Sequence, residues 1–133
     1  MIDWPALHRA AAEAARLSYS PYSGFPVGAA ALVSDGRIIR GCNVENASYG
    51  LTLCAECSLI SSLQLTGGGR LVAVVTCTLD PVTGRAKPVM PCGRCRQLLW
   101  EHGGPECLLD GNGQVQPMTA VLPGAFDASE LDH

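Results

Sequence analysis

The chain has few charged residues, few aromatic residues and no long apolar run. Charged residues make up 16% of the 133 positions and aromatic residues 5%, against about 25% charged residues in an average globular domain. Lys and Arg total 9, whereas Asp and Glu total 12. Nucleic-acid-binding surfaces need clustered Lys and Arg to neutralise phosphates, so no nucleic-acid partner is expected. No apolar run reaches the roughly 18 residues that cross a membrane, so no membrane association is expected.

The composition and the length of the chain lead to expectations about its assembly and its domain organisation. With 47% hydrophobic residues, the chain is expected to cover apolar surface with further copies of itself. The length suits one domain over residues 1–133.

The first residues, Met-Ile-Asp-Trp-Pro, do not resemble a secretory signal, which predicts a cytoplasmic protein. In that reducing compartment the seven cysteines are expected to be metal ligands or buried thiols rather than disulfides.

The spacing of apolar residues predicts a sheet covered by helices. Helices are predicted from Asp3 to about Arg16 and over 52–65 and 93–102. Strands are predicted over 27–33, 37–42, 71–78, 106–109 and 115–121, with a hairpin at Asp35-Gly36. The order α-β-β-α-β-α-β-β indicates an α/β fold with a mixed sheet between helices.

The strongest chemical signal is Cys92-Gly-Arg-Cys95, two thiols three positions apart at a predicted helix start. Thiols with this spacing point to the same side of a first helical turn and can bind one metal ion. The positive end of the helix dipole also stabilises thiolates. A redox-active dithiol is the alternative, but it calls for a thioredoxin-like βαβ context that the predicted elements lack.

A second motif, Cys54-Ala-Glu56-Cys57, lies at another predicted helix start. Two helix starts that converge on one cation predict a zinc site. All four motif cysteines could close a purely structural site, although the 34 residues between the pairs exceed the usual spacing in zinc ribbons. Three thiolates would instead leave the fourth position to water, and Glu56 could then move protons beside the metal.

Three separated motifs resemble the small, homotetrameric cytidine deaminases. They are FPVGAA at 25–30, NVENASYGLTLCAE at 43–56 and PCGRCRQ at 91–97. The resemblance implies a three-layer α/β/α domain with a mixed five-stranded sheet and one zinc ion per subunit. It also implies hydrolytic deamination of cytidine and deoxycytidine to uridine and deoxyuridine, with release of ammonia, in pyrimidine salvage. The implied partners are a small nucleoside substrate and identical subunits that share their active sites.

The same resemblance implies roles for individual residues. The zinc ligands and the proton carrier would be Cys54, Cys92, Cys95 and Glu56. The nucleoside would be bound by the Phe25 ring, by Asn43 and Glu45 at the ribose hydroxyls, and by the backbone amide of Ala55 at the pyrimidine carbonyl. Tyr49 and Phe126 resemble residues that a neighbouring subunit contributes to the pocket.

One position departs from the family pattern. The resembling proteins commonly carry Arg where this chain has Cys57, and that Arg can hydrogen-bond the zinc thiolates. Three thiolates on a divalent cation sum to one negative charge, so another donor is expected to offset it. Arg94 is the first candidate and Arg96 the second, and Cys57 is then a thiol beside the ligands rather than a fourth ligand.

Two alternatives to a nucleoside deaminase stay open at this stage. A deaminase of polynucleotides or of another aminated heterocycle would use the same zinc chemistry, but the acidic composition and the pair of Asn43 and Glu45 disfavour both. A zinc-stapled interaction module would bind the metal through all four motif cysteines and leave Glu56 as ordinary surface.

Overall fold

The computed structural model describes residues 1–131, which form a six-stranded mixed sheet with helices on both faces. The helices are α1 (Trp4–Arg16), α2 (Ala55–Leu65), α3 (Gly93–Gly103) and α4 (Met118–Val121). The strands are β1 (Val27–Val33), β2 (Ile38–Cys42), β3 (Leu71–Leu79), β4 (Ala86–Pro88), β5 (Leu108–Asp110) and β6 (Val115–Pro117). Within the described residues, none of the helices has the length and hydropathy that a bilayer span requires.

Strand β3 is the centre of the sheet. The strands follow the order β2-β1-β3-β5-β6, and β4 pairs with the end of β3. Strand β3 is parallel to β5 and antiparallel to β1 and β4, which makes the sheet mixed. Both faces of β1 and β3 are covered, and these strands accordingly read as nearly continuous apolar runs.

Two separate apolar cores lie on the two faces of the sheet. On one face, α1 packs through Leu7, Ala11 and Ala15 against Ala30 and other sheet residues. On the other face, α2 and α3 pack through Leu59, Leu63 and Leu99 among others. The predicted three-layer α/β/α class is therefore confirmed.

The sequence prediction and the structure differ at three elements. Helix α2 begins at Ala55 rather than at position 52, because Leu53 pairs with Val44 in an isolated bridge and keeps the chain extended. The strand predicted over 115–121 is wrong beyond Pro117, where α4 begins. Strand β4 was not predicted, because it has only three residues and all of them are exposed. The sheet therefore has six strands instead of five.

Two glycines allow the helices to approach the sheet closely. A Cβ at Gly28 would collide with the backbone of Ala11 and Ala15 on α1. A Cβ at Gly41 would collide with the carbonyl oxygen of Ala55 and lie 2.5 Å from the backbone nitrogen of Leu59, both on α2. Gly41 therefore fixes how near the start of α2 lies to the sheet.

We expect Gly41→Ala to lower the free energy of unfolding by about 1–3 kcal/mol, because α2 must move away from the sheet to admit the methyl group. Gly50→Ala is the matched control, since a Cβ there has no atom within 4 Å and should change stability by at most about 0.5 kcal/mol. Urea unfolding curves of the two variants measure the difference. Equal midpoints would contradict the close contact between Gly41 and α2.

Candidate metal centre and adjoining cavity

The starts of α2 and α3 place cysteines next to each other. Cys54 is the N-cap of α2 and Cys92 the N-cap of α3, and both have extended backbones with ψ of 157° and 167°. Neither side chain caps its own helix. Helices α2 and α3 pack side by side, so the two cap sulfurs meet in front of two positive helix ends.

The sulfurs of these two cysteines and of Cys95 form a group with metal-binding geometry. The Sγ atoms of Cys54, Cys92 and Cys95 all lie within 4.8 Å of one another. The Cys92 and Cys95 sulfurs are 3.8 Å apart, which matches the separation of about 3.8 Å expected for two thiolates bound tetrahedrally to zinc at about 2.3 Å. Within residues 1–131, no other group of three or more His, Cys, Asp or Glu residues meets the same distance criterion. The donor set and its spacing therefore fit zinc.

The electrostatics of Cys54 and Cys95 also favour a bound cation. Burial raises the pKa of the Cys54 thiol, and burial raises the pKa of the Cys95 thiol further, with the nearby Glu56 carboxylate adding to the effect. Crowded, buried sulfurs resist ionisation because each thiolate would repel its neighbours. A divalent cation reverses this preference by stabilising the ionised thiols.

Cys57 lies outside the ligand group. It is three residues after Cys54, but its sulfur accepts a hydrogen bond from Nη1 of Arg94 at 3.1 Å. The same Arg94 nitrogen lies 4.0 Å from the Cys54 sulfur. Arg96, the second arginine considered from the sequence, instead donates to the carbonyl oxygen of Val121 at 2.7 Å. This geometry disagrees with a closed site of four thiolates.

Glu56 is buried next to the thiols. Its side chain is 4% exposed, and it lines the same cavity as Cys54 and Cys92. Residues two apart do not share a helix face, but the extended backbone of Cys54 at the N-cap removes that constraint. Burial raises the pKa of the Glu56 carboxyl, as is common for carboxyls that transfer protons. A surface role for Glu56, as in an interaction module, does not agree with this position.

A cavity of about 290 Å³ opens beside these groups. Its walls are mostly apolar with a few polar groups, which is typical of a small-molecule site. The lining residues are Phe25, Val27, Asn43, Thr52, Cys54, Ala55, Glu56, Val89, Met90, Pro91 and Cys92. A second cavity of about 410 Å³, lined by Tyr22, Ser23, Glu45, Asn46, Tyr49 and Thr52, adjoins the first at Thr52.

Asn43 is held in place by hydrogen bonds within the chain. Its Oδ1 accepts from the backbone nitrogen of Val27 at 2.8 Å and from the hydroxyl of Ser18 at 2.5 Å. Its Nδ2 donates to the carbonyl oxygen of Phe25 at 3.0 Å. Both lone pairs of Oδ1 are thus engaged and one N–H of Nδ2 stays available. A sugar contact by Asn43 would therefore be donated by its N–H.

Glu45 also stabilises the loop that carries Phe25. One carboxylate oxygen accepts from the backbone nitrogens of Tyr22 and Ser23, at 3.0 and 3.1 Å, and the other accepts from the Ser23 hydroxyl. The hydrogen bond from the Ser23 hydroxyl, with those from the two backbone amides, lowers the pKa of Glu45. Glu45 therefore stays ionised at neutral pH and faces the second cavity as an acceptor.

Tyr49 and Phe126, like Glu45, do not line the first cavity of their own chain. Tyr49 is 77% exposed and lines only the second cavity, where its ring lies 6.3 Å from that of Tyr22. Phe126 is 58% exposed, and its carbonyl oxygen accepts from Nε2 of Gln97 at 2.7 Å. Both aromatic rings are thus presented to the outside of the subunit.

Two buried threonines of β3 were missed by the sequence reasoning. The Thr78 hydroxyl donates to the carbonyl oxygen of Pro26 at 2.6 Å, and the Thr76 hydroxyl donates to that of Val89 at 2.5 Å. They thereby hold two segments that contribute lining residues to the first cavity, the one around Pro26 and the one at Val89. The signal was available in the sequence, because hydroxyls within an apolar central strand need hydrogen-bond partners.

Comparisons with known proteins agree with this site. The family model for the cytidine and deoxycytidylate deaminase zinc-binding region matches residues 3–109. A cytidine deaminase of Mycobacterium tuberculosis is 52% identical over 130 residues, which are 98% of this chain and 94% of that protein. Its crystal structure superimposes with a TM-score of 0.86 over 96% of this chain and 99% of the other. The cytidine deaminase of Mycobacterium leprae gives 0.84 at 57% identity, over 92% and 99% of the two chains.

We expect Cys92→Ala to weaken zinc binding by more than about 100-fold, since loss of a ligand should exceed the 10- to 100-fold effect of outer hydrogen-bond partners. Cys42→Ala is the control, because Cys42 is a half-buried free thiol outside the ligand group. Competition with a colorimetric chelator measures both affinities. Equal zinc affinity in the two variants would exclude Cys92 as a ligand.

Proposed function

The chain belongs to the cytidine deaminase family, and from this premise we propose that Glu56 and the cavity beside it carry out the reaction. The enzyme is a hydrolase that converts cytidine and water to uridine and ammonia, with zinc as its cofactor. The observation that carries the assignment to this site is the buried Glu56 carboxyl in one cavity with two of the three clustered thiols.

Cys54, Cys92 and Cys95 would hold the zinc ion. When bound there, zinc supplies a Lewis acid that lowers the pKa of water to about 7. The two helix starts contribute partial positive charge to the same place. No Lys or Arg lines either cavity in the described part of the chain, which favours an uncharged nucleoside over a nucleotide phosphate.

Glu56 moves the protons of the reaction. Its carboxylate takes a proton from the attacking water and delivers a proton to N3 of the cytosine ring, which makes C4 electrophilic. The water oxygen then bonds to C4. Glu56 next takes the proton of the new C4 hydroxyl and passes it to the exocyclic nitrogen, so that the C4–N bond breaks as the C4 carbonyl forms, and ammonia leaves. A single carboxyl that is protonated and deprotonated in turn leaves the enzyme unchanged after each cycle.

The nucleoside is held by groups around Glu56. Phe25 packs against it, and the backbone N–H of Ala55, at the start of α2, donates to the pyrimidine carbonyl. The remaining N–H of Asn43 and the Glu45 carboxylate bind the ribose hydroxyls from the first and the second cavity. Deoxycytidine is a second substrate, because no proton transfer involves the 2′ hydroxyl, and both products belong to pyrimidine salvage.

Four such chains assemble into a homotetramer with shared active sites. Five exposed apolar side chains lie around the outer face of α2, namely Leu17, Ile38, Val44, Leu53 and Leu65. Large contiguous apolar surfaces favour association. The exposed rings of Tyr49 and Phe126 would then close the pocket of a neighbouring subunit.

The proposal also includes a single-domain organisation and a cytoplasmic location. The chain is assigned to one domain, because a single sheet joins all six strands between Val27 and Pro117. The protein acts in the cytoplasm, where a reducing environment keeps the three ligand cysteines available as thiols.

We expect Glu56→Gln to lower kcat by about 10²- to 10⁴-fold while zinc stays bound, because the amide keeps the shape of the side chain but cannot accept a proton. Glu106→Gln, at an exposed carboxylate, is the control and should keep normal turnover. The loss of cytidine absorbance measures turnover, and elemental analysis measures zinc. Near-normal turnover of zinc-loaded Glu56→Gln would refute the mechanism.

We expect hybrids of Glu56→Gln and Phe126→Ala subunits to be more active than either parent. If each pocket combines Glu56 of one subunit with Phe126 of a neighbour, random mixing restores about a quarter of the pockets. Tagged hybrids, isolated after joint refolding, are assayed with cytidine. Confirmed hybrids that are no more active than the parents would rule out a shared pocket.

A further inference from the structure

Arg94 lies at the edge of the thiol cluster. It occupies the second position of α3, between Cys92 and Cys95, and its side chain is exposed. Its Nη1 is 3.1 Å from the Cys57 sulfur and 4.0 Å from the Cys54 sulfur. Within residues 1–131, no other Lys or Arg side chain makes a hydrogen bond to a cysteine sulfur.

The first turn of a helix is an unfavourable place for a cation. The exposed amide groups there carry partial positive charge, so acidic residues are preferred. The first turn of α3 has no acidic residue, and the structure shows no carboxylate paired with Arg94 in the described part of the chain. The groups that Arg94 contacts are instead the sulfurs of Cys54 and Cys57, both on α2.

A zinc ion bound to this cluster would leave a net negative charge, which a nearby cation can offset. Metal-bound cysteines are ionised, so three thiolates and one divalent cation carry a net charge of −1, and the Glu56 carboxylate lies in the same cavity. A guanidinium that donates to a thiolate withdraws charge from it and stabilises the ionised ligand. Arg94 reaches the cluster only at Cys54, and the shorter contact that fixes its position is to Cys57.

We propose that Arg94 offsets the charge of the zinc-bound Cys54 thiolate, and that Cys57 is a positioning residue that holds the Arg94 guanidinium at that place. The pair thus determines how tightly the chain retains zinc. This inference rests on the proposed function, because it takes Cys54, Cys92 and Cys95 as the zinc ligands.

The test is the zinc affinity of the holoenzyme, measured by competition with a chelator. We expect Arg94→Gln to weaken zinc binding by about 10- to 100-fold, whereas Arg94→Lys, which keeps the charge, should lose clearly less. Arg85→Ala, at an exposed arginine outside the site, is the control and should bind zinc normally. Circular dichroism verifies that each variant is folded. Arg94→Gln with wild-type zinc affinity would overturn the proposal.

A double-mutant cycle tests the role of Cys57. Because Cys57 acts through Arg94, Cys57→Ala should weaken zinc binding in the wild-type background but have no further effect in Arg94→Gln. An equal loss in both backgrounds would mean that Cys57 acts on the metal directly and would overturn the assignment. Cobalt substitution provides a second readout, because a fourth thiolate ligand would make Cys57→Ala lose about a quarter of the sulfur-to-cobalt charge-transfer intensity.

The proposed function can fail separately. A folded wild-type protein that does not take up one zinc per chain would refute the zinc site itself. A wild type that binds one zinc, together with Arg94 variants of unchanged affinity, would refute only the inference on Arg94.

Discussion

The site depends on the close approach of two helix starts in front of one edge of the sheet. Cys54 and Cys92 are N-caps whose sulfurs leave their own helices without a side-chain cap, which forgoes about 1 kcal/mol at each helix. The sulfurs converge only because α2 lies directly on β2 at Gly41 and packs along α3. The backbone geometry that places the clustered sulfurs thus depends on how α2 packs on the sheet, including the contact of Gly41 with Ala55.

The polar residues near the cavity mainly make hydrogen bonds within the chain, and these bonds stabilise the shape of the cavity. Asn43 and Thr78 hold the segment around Pro26, and Thr76 holds Val89. Buried polar groups are costly unless they are paired, and here the pairing fixes two segments that line the cavity. The proposed substrate contacts accordingly fall on groups with spare hydrogen-bonding capacity, namely the backbone of Ala55, one N–H of Asn43 and the Glu45 carboxylate.

The features of the fold and of the site that depend on short-range sequence signals could be predicted from the sequence. Strand β1 and the start of α3 were predicted correctly, because a continuous apolar run and a Pro-Cys motif are short-range signals. The hydrogen bonds of Asn43 could not be predicted, since its partners at Ser18 and Val27 are 25 and 16 residues away. The distinction between Cys54 and Cys57 was expected from the family resemblance alone, because the spacing of the cysteines leaves a site of four thiolates open and the contact from Arg94 of another helix is not a local signal.

Three aromatic rings of the predicted site lie exposed at the surface of the chain. Phe25, Tyr49 and Phe126 are each about half exposed or more, although large aromatic side chains gain most when buried. Gln97 and Trp100 of α3 hold the segment around Phe126 through hydrogen bonds to the Phe126 carbonyl and to Asp127, so its exposed position is built into the fold. The same helix α3 carries two of the clustered thiols at its other end. Helix α3 therefore connects the segment around the exposed Phe126 with the place where Cys92 and Cys95 lie.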